Sequence, residues 1–292
     1  MTYRFRAARS ALLRDPAELR LRERAVLRIL NRAGAATAIQ LSTLVYHNRR
    51  LAQRQLWRLW ADGLLERASL PPAGPRGGAP LAYRLSAACL HRLGYRRGPW
   101  RGPGYLPHTL DAVEAVCALI DAGRTETRPP VQLWLPESIA DGVLADGIVP
   151  DAVCVVASAS GSGVICFEID EGTQHIAPIR AKLRAYHRAL GGREGWHVLF
   201  VVPTAARRTW LRRVAAGLDR GDVNVWIVVL RDLTLAGLGA PLMQLGAPAV
   251  TKRVRDVLVD ARSRTTTTPV TSQAWLELLA SGGGEDLGGI LA

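Results

Sequence analysis

The chain has 292 residues, 48% of them apolar, and a formal net charge of +13. No apolar run approaches the ~18 residues of a bilayer crossing, and the amino terminus, M-T-Y-R-F-R-A-A-R, lacks the apolar core of a signal peptide, so a membrane protein is excluded and a soluble cytoplasmic protein expected. The charge is concentrated: residues 1–107 carry 20 Arg and no Lys against five acids, a balance of +15, whereas the 18 basic and 20 acidic residues beyond them balance to −2. Such a basic first third suits a polyanion, because displacing counterions from phosphates favours binding.

In chain order, Leu19, Val26, Leu27 and Leu30 fit one face of a helix over residues 18–33, which Gly34 stops. Thr37 with Gln40 three residues on makes a capping box for a second helix, with Leu41, Leu44 and Val45 turned inward. After His47 and Asn48 a third helix turns Ala52, Leu56 and Leu59 inward and places Arg49, Arg50, Gln53, Arg54, Trp57 and Arg58 on the other face. Two β-type runs follow, residues 64–70 and 81–85, around the loop P-P-A-G-P-R-G-G-A-P.

Three helices and a ribbon are the order of a winged helix-turn-helix, with residues 49–58 as recognition helix and Arg76 at the wing tip. Its partner is expected to be double-stranded DNA. Arg50, Gln53 and Arg54 have the side chains that read purine edges in the major groove, and Arg49, Arg58 and Arg76 suit phosphates. Trp57 is the large aromatic of that face, either a DNA neighbour or a contact to the second domain. The Pro/Gly-rich segment 96–107 reads as a linker, which bounds the first domain at residues 1–104.

Residues 105–262 read as a second domain of order αβββαβαβ, a mixed sheet flanked by helices, so the whole chain is expected to be α/β. Its elements are a helix at 109–122, strands at 131–135, 151–157 and 164–170, a helix at 175–190, a strand at 196–202, a helix at 205–218 and a strand at 223–230. Residues 263–292 read as a linker and tail with a short amphipathic helix at 272–280. Cys89, Cys117, Cys154 and Cys166 show no C-x-x-C spacing and read as buried thiols rather than a zinc site, with Cys154 and Cys166 on opposite sheet faces.

Three carboxylates, Asp151, Glu168 and Asp170, interrupt the apolar strands of this domain. A buried carboxylate must be neutralised, so the cluster calls for a cation, a basic partner or water. Glu168 and Asp170 are two residues apart and share a strand face. Symmetric pairing about S-A-S-G-S-G sets Asp151 opposite Asp170 on that face. On the next helix Ile176, Ile179, Leu183, Tyr186 and Leu190 form the inward stripe, and Lys182 flanks it, able to reach the sheet or to extend to solvent. Lys182 and Lys252 are the two lysines of the whole chain.

Pro150-Asp151, a hairpin, and then Glu168-x-Asp170 resemble the core motif of the PD-(D/E)xK, restriction-endonuclease-like nucleases. That resemblance implies a catalytic set of Asp151, Glu168, Asp170 and Lys182, with the three acids holding Mg²⁺ for phosphodiester cleavage. Asp170 stands where the superfamily motif has Lys, and Lys182 fits a lysine displaced to the following helix.

A second resemblance spans nearly the whole chain. L-P-H-T-L at residues 106–110, L-W-L-P-E at 133–137, E-I-D-E-G-T, K-L-R-A-Y and W-H-V-L-F-V-V-P-T are similar to the replication-relaxation family of plasmid and integrative-element proteins. It implies a DNA-binding protein acting in replication, transfer or transcriptional control. On that reading the nuclease-like domain is expected to serve as a scaffold, either for a homodimer or for nucleic-acid contact. The other reading of the carboxylates is a metal-dependent DNA endonuclease.

Overall fold

Helices form in the first third where apolar spacing and capping agree. The computed structural model describes residues 3–8, 14–15, 18–72, 79–94, 102–122, 131–140, 143–144, 147–158, 161–193, 195–216, 223–245 and 251–260. They fall into two units that divide between Val113 and Glu114.

In the first unit, helix α1 (Leu21–Ala33) opens where the Glu23 carboxylate accepts from the Arg20 amide at 2.9 Å, three residues after the expected start at residue 18. It ends at Gly34, whose φ of 84° a residue with a Cβ would adopt only under strain. A two-residue strand, β1 (Ala36–Thr37), precedes α2 (Ala38–Leu41). The capping box is in place: Gln40 N donates to Thr37 Oγ1 at 3.2 Å and Thr37 N to Gln40 Oε1 at 2.9 Å. A wide π turn over Ser42–Tyr46 closes on His47, left-handed at φ 55°. Asn48 Oδ1 then accepts from Leu51 N at 2.9 Å and opens α3 (Arg49–Ala61). Ala52, Leu56 and Leu59 of α3 are all fully buried.

Strands β2 (Leu65–Ser69) and β3 (Leu81–Leu85) pair antiparallel, Leu65 opposite Leu85 and Ser69 opposite Leu81. β1 joins the other edge of β3, which completes a three-stranded sheet of order β1-β3-β2. Arg76, the expected wing tip, lies outside the described residues. Ser86 caps α4 (Ala87–Arg92), and α5 (Leu106–Ala122) follows. Leu106 and Leu110 of α5 pack with Ala35 and Ala82, and Gln40 Nε2 donates to the Leu110 carbonyl at 2.8 Å.

The second unit holds β4 (Val131–Pro136), α6 (Glu137–Ala140), β5 (Ala152–Ser158), β6 (Gly161–Ile169), α7 (Ile176–Leu190), β7 (Trp196–Val202), α8 (Ala205–Ala215) and β8 (Asn224–Val229). Beyond these come α9 (Leu230–Ala236), β9 (Pro241–Gln244), β10 (Thr251–Arg253) and α10 (Val254–Asp260). The described strands form one seven-stranded mixed sheet, β10-β9-β8-β7-β6-β5-β4, parallel in its β6-β7-β8 centre and antiparallel elsewhere. Every residue of β7 is buried, as its run W-H-V-L-F-V-V, apolar but for His197, leads one to expect of a strand covered on both faces. The expected mixed α/β architecture is therefore present.

Two expectations are corrected. β6 begins at Gly161, which pairs with Ser158, so Ala152 faces Phe167 and the register differs by two residues from the symmetric pairing about S-A-S-G-S-G. Asp151, just outside the ladder, is consequently held against Phe167 and Ile169 of β6 rather than opposite Asp170. Because side chains alternate with period two, a two-residue offset leaves each on its expected face. The second correction concerns Ile176, which is 46% exposed, while Ile179, Leu183, Tyr186, Ala189 and Leu190 form the buried stripe of α7. The four cysteines are free and buried, and burial pushes the Cys89 thiol up to about 12.

Candidate functional site

Glu168 occupies the penultimate position of β6, paired in register with Phe200 of β7, and is only 2% exposed. The strand itself puts it there: Phe167 and Ile169 take the opposite face, so the carboxylate must point at whatever covers its own. That cover is α7. Lys182 and Tyr186 lie four residues apart, hence on one face of the helix, and both end at Glu168. Lys182 Nζ donates to Oε2, and Tyr186 Oη donates to Oε1 at 2.5 Å.

Burial, and next the Asp151 charge, raise the Glu168 carboxyl from 4.5 to about 7, against the opposing pull of Lys182 and Tyr186. Burial alone would lower the Lys182 ammonium; the charges of Glu168, Asp151 and Glu137 outweigh it and leave it above its ordinary value. The Tyr186 hydroxyl is held well above its usual range by burial and by the Glu168 charge beside it.

The sign of the Glu168 displacement has a measurable result. A carboxyl raised in the folded state favours folding fully below its unfolded value near 4.5, and that contribution fades as pH climbs through about 7. Across that window wild type is expected to lose roughly 3 kcal/mol at most from this group. Glu168→Gln removes the group, so urea denaturation at intervals of pH should give the variant a correspondingly more positive stability slope. Equal slopes in both proteins would contradict the assignment.

Asp151 stands just before β5. Its amide donates to the Phe167 carbonyl at 3.0 Å and its Oδ2 accepts from the Ile169 amide at 2.7 Å, which fixes the carboxylate against the end of β6. Asp170, one residue past β6, is answered from another helix. Arg207, in the first turn of α8, donates from Nε to Oδ2 at 2.7 Å and from Nη2 to Oδ1 at 3.0 Å. Gly172 N also donates to Oδ1, and Arg207 Nη2 reaches the Gln174 carbonyl at 2.7 Å. The Arg207 guanidinium lies 3.8 Å from the Trp210 ring centroid.

Of the four residues singled out in this unit, Asp151, Glu168 and Lys182 share one electrostatic cluster, and Asp170 belongs to a neighbouring ion pair. Sequence reasoning missed two partners of these carboxylates. Tyr186 was legible in principle, since K-x-x-x-Y stacks both side chains on one helix face and a buried hydroxyl needs a partner. Arg207 meets Asp170 across 37 positions of chain, and no local pattern announces it.

The Mg²⁺ that the nuclease resemblance implies would need oxygen ligands able to face a divalent ion. Here Glu168 meets an ammonium and Asp170 a guanidinium. Among the described residues no group of three or more His, Cys, Asp or Glu side chains is placed to hold a metal. This arrangement does not fit the ion.

In the first unit, Arg49, Arg50, Gln53, Arg54 and Arg58 are all exposed along α3, and Trp57 among them is 55% exposed. No acidic residue lies within α3, so every charge on this face is positive.

Among the described residues no helix is long and apolar enough to cross a membrane. The family model described as replication-relaxation matches residues 27–199. No curated protein and no solved structure gives a significant match to the chain.

Proposed function

The chain belongs to the replication-relaxation family, and from that premise we propose that it is a DNA-binding protein acting in the replication, transfer or transcriptional control of a plasmid or other mobile element. The observation that carries this reading is the outward face of α3, where four arginines, Gln53 and Trp57 stand exposed over a fully buried Ala52-Leu56-Leu59 seam. An exposed basic helix anchored in this way is suited to a major groove. Helices α1, α2 and α3 followed by β2 and β3 run in winged helix-turn-helix order, with the wing between β2 and β3. In this reading Arg50, Gln53 and Arg54 meet base edges, and Arg49, Arg58 and Arg76 hold phosphates.

Fluorescence anisotropy of the full chain with duplex DNA over a series of salt concentrations tests it. Affinity should fall linearly on a double-logarithmic plot, and Arg49→Ala and Arg58→Ala should each reduce the slope by about one phosphate's worth on any duplex. Binding that ignores salt, or the absence of duplex binding, would remove the proposal.

A second reading, a DNA endonuclease with a restriction-endonuclease-like second unit, is favoured by one observation: Lys182 reaches Glu168 from the helix after the E-I-D strand. Nicking of supercoiled plasmid by wild type and not by Asp151→Ala/Glu168→Ala would establish it. The Arg207 guanidinium already engaging Asp170 favours the first reading, in which this unit is a scaffold.

A further inference from the structure

We propose that the Lys182 ammonium is the resident cation of the Asp151–Glu168 pair, filling the position to which these carboxylates would otherwise draw a divalent ion. The inference stands apart from the DNA-binding reading. It begins with position: Ala152 faces Phe167, and the Asp151 before it is tied to the same end of β6 by its amide on the Phe167 carbonyl and by the Ile169 amide on its Oδ2. Two carboxylates on neighbouring strands repel unless a positive charge joins them.

Lys182 supplies that charge at Oε2, while Tyr186, one helical turn on, holds Oε1 and so fixes the direction in which the carboxylate points. The backbone amide of Ile169 fixes Asp151 in the same way. The Lys182 side chain is 30% exposed although Glu168 is 2% exposed, so the side chain that covers the carboxylate borders on solvent. An ion could therefore enter were the lysine shortened. Asp170, two residues further on, has its own built-in cation in Arg207, 12% exposed. Both carboxylates at this strand end are thus neutralised by side chains of the chain itself, each from a different helix.

Removing the ammonium takes away the cation that Glu168 now meets and leaves its carboxylate beside Asp151 with oxygen ligands already in place, the condition that favours a hard divalent cation. The probe is Mn²⁺, followed by loss of the free-ion electron paramagnetic resonance signal as the full chain is titrated. Wild type should show no saturable site. Lys182→Met should gain one site, binding at least about tenfold more tightly than any residual wild-type uptake, since a like charge no longer opposes the ion. Adding Glu168→Gln to Lys182→Met should abolish the gain.

Should Lys182→Met fail to fold, Lys182→Gln, which retains a hydrogen-bond donor for Oε2, takes its place in the same titration. The wild-type arm also decides by itself. A single Mn²⁺ bound by wild type and lost in Asp151→Asn would overturn the proposal, as would a lysine variant that folds and binds no better than wild type.

Discussion

Arg50→Ala/Arg54→Ala should abolish discrimination between the preferred duplex and an unrelated one while leaving the protein as stable as wild type. Each side chain that engages a base edge in bidentate fashion contributes about 1–3 kcal/mol of discrimination, so losing two should cost on the order of 10²-fold or more in specific affinity. Both residues are exposed on α3 and pack against nothing in the Ala52-Leu56-Leu59 seam. Substitution at such positions usually changes stability by no more than about 0.5 kcal/mol, so an unchanged melting curve would separate lost recognition from lost folding. Competition binding with specific and unrelated duplexes makes the measurement. Retained discrimination in the double variant would remove α3 as the reading element. Arg58→Ala, by contrast, should weaken both duplexes alike.

The largest expected effect on stability belongs to Arg207→Ala. Asp170 is 2% exposed and keeps one hydrogen bond from Gly172 once Arg207 is gone. Breaking a buried ion pair from one side typically costs about 3–5 kcal/mol, because the remaining charge stays buried without its partner. Asp170→Asn should cost less, since it discharges the site while Arg207 retains the Gln174 carbonyl and the Trp210 ring. Adding Asp170→Asn to Arg207→Ala should then recover part of the loss, a coupling that a double-mutant cycle in urea reads directly. Arg207→Lys should be an incomplete substitute, because an ammonium cannot reproduce the two-pronged contact with Oδ1 and Oδ2. A loss below about 0.5 kcal/mol in Arg207→Ala would show that solvent compensates Asp170, against its burial.

Local signals in the sequence were enough for much of the frame. The Thr37–Gln40 box, the α3 seam and the β7 run depend on neighbours a few positions apart, and all occur where their residues place them. β1, β9 and β10 were not legible. They are two to four residues long, and strands that short form because a partner is already present rather than through preference of their own.

The carboxylates show the same limit. Alternation put Glu168 on its face, but the pairing offset depended on where β6 begins within a Ser/Gly segment that has no side-chain pattern to mark it. Asp170 read as a third member of one cluster because strand geometry counts faces and does not see α8. Arg207, arriving from that helix, divides the cluster in two.

The parallel centre of the large sheet bears on the order in which the second unit is assembled. β4, β5 and β6 can pair as hairpins while the chain is being synthesised, because each strand meets its predecessor through an antiparallel contact. β7 reaches β6 only after all of α7 has emerged, and β8 reaches β7 only after α8. Contacts so distant along the chain close slowly. Glu168 and Asp170 are therefore made before the helices that carry Lys182 and Arg207, which follow them by 14 and 37 positions. Until those helices dock, the nascent sheet presents unpaired negative charge at the end of its newest strand, which opposes premature pairing of that edge with another chain.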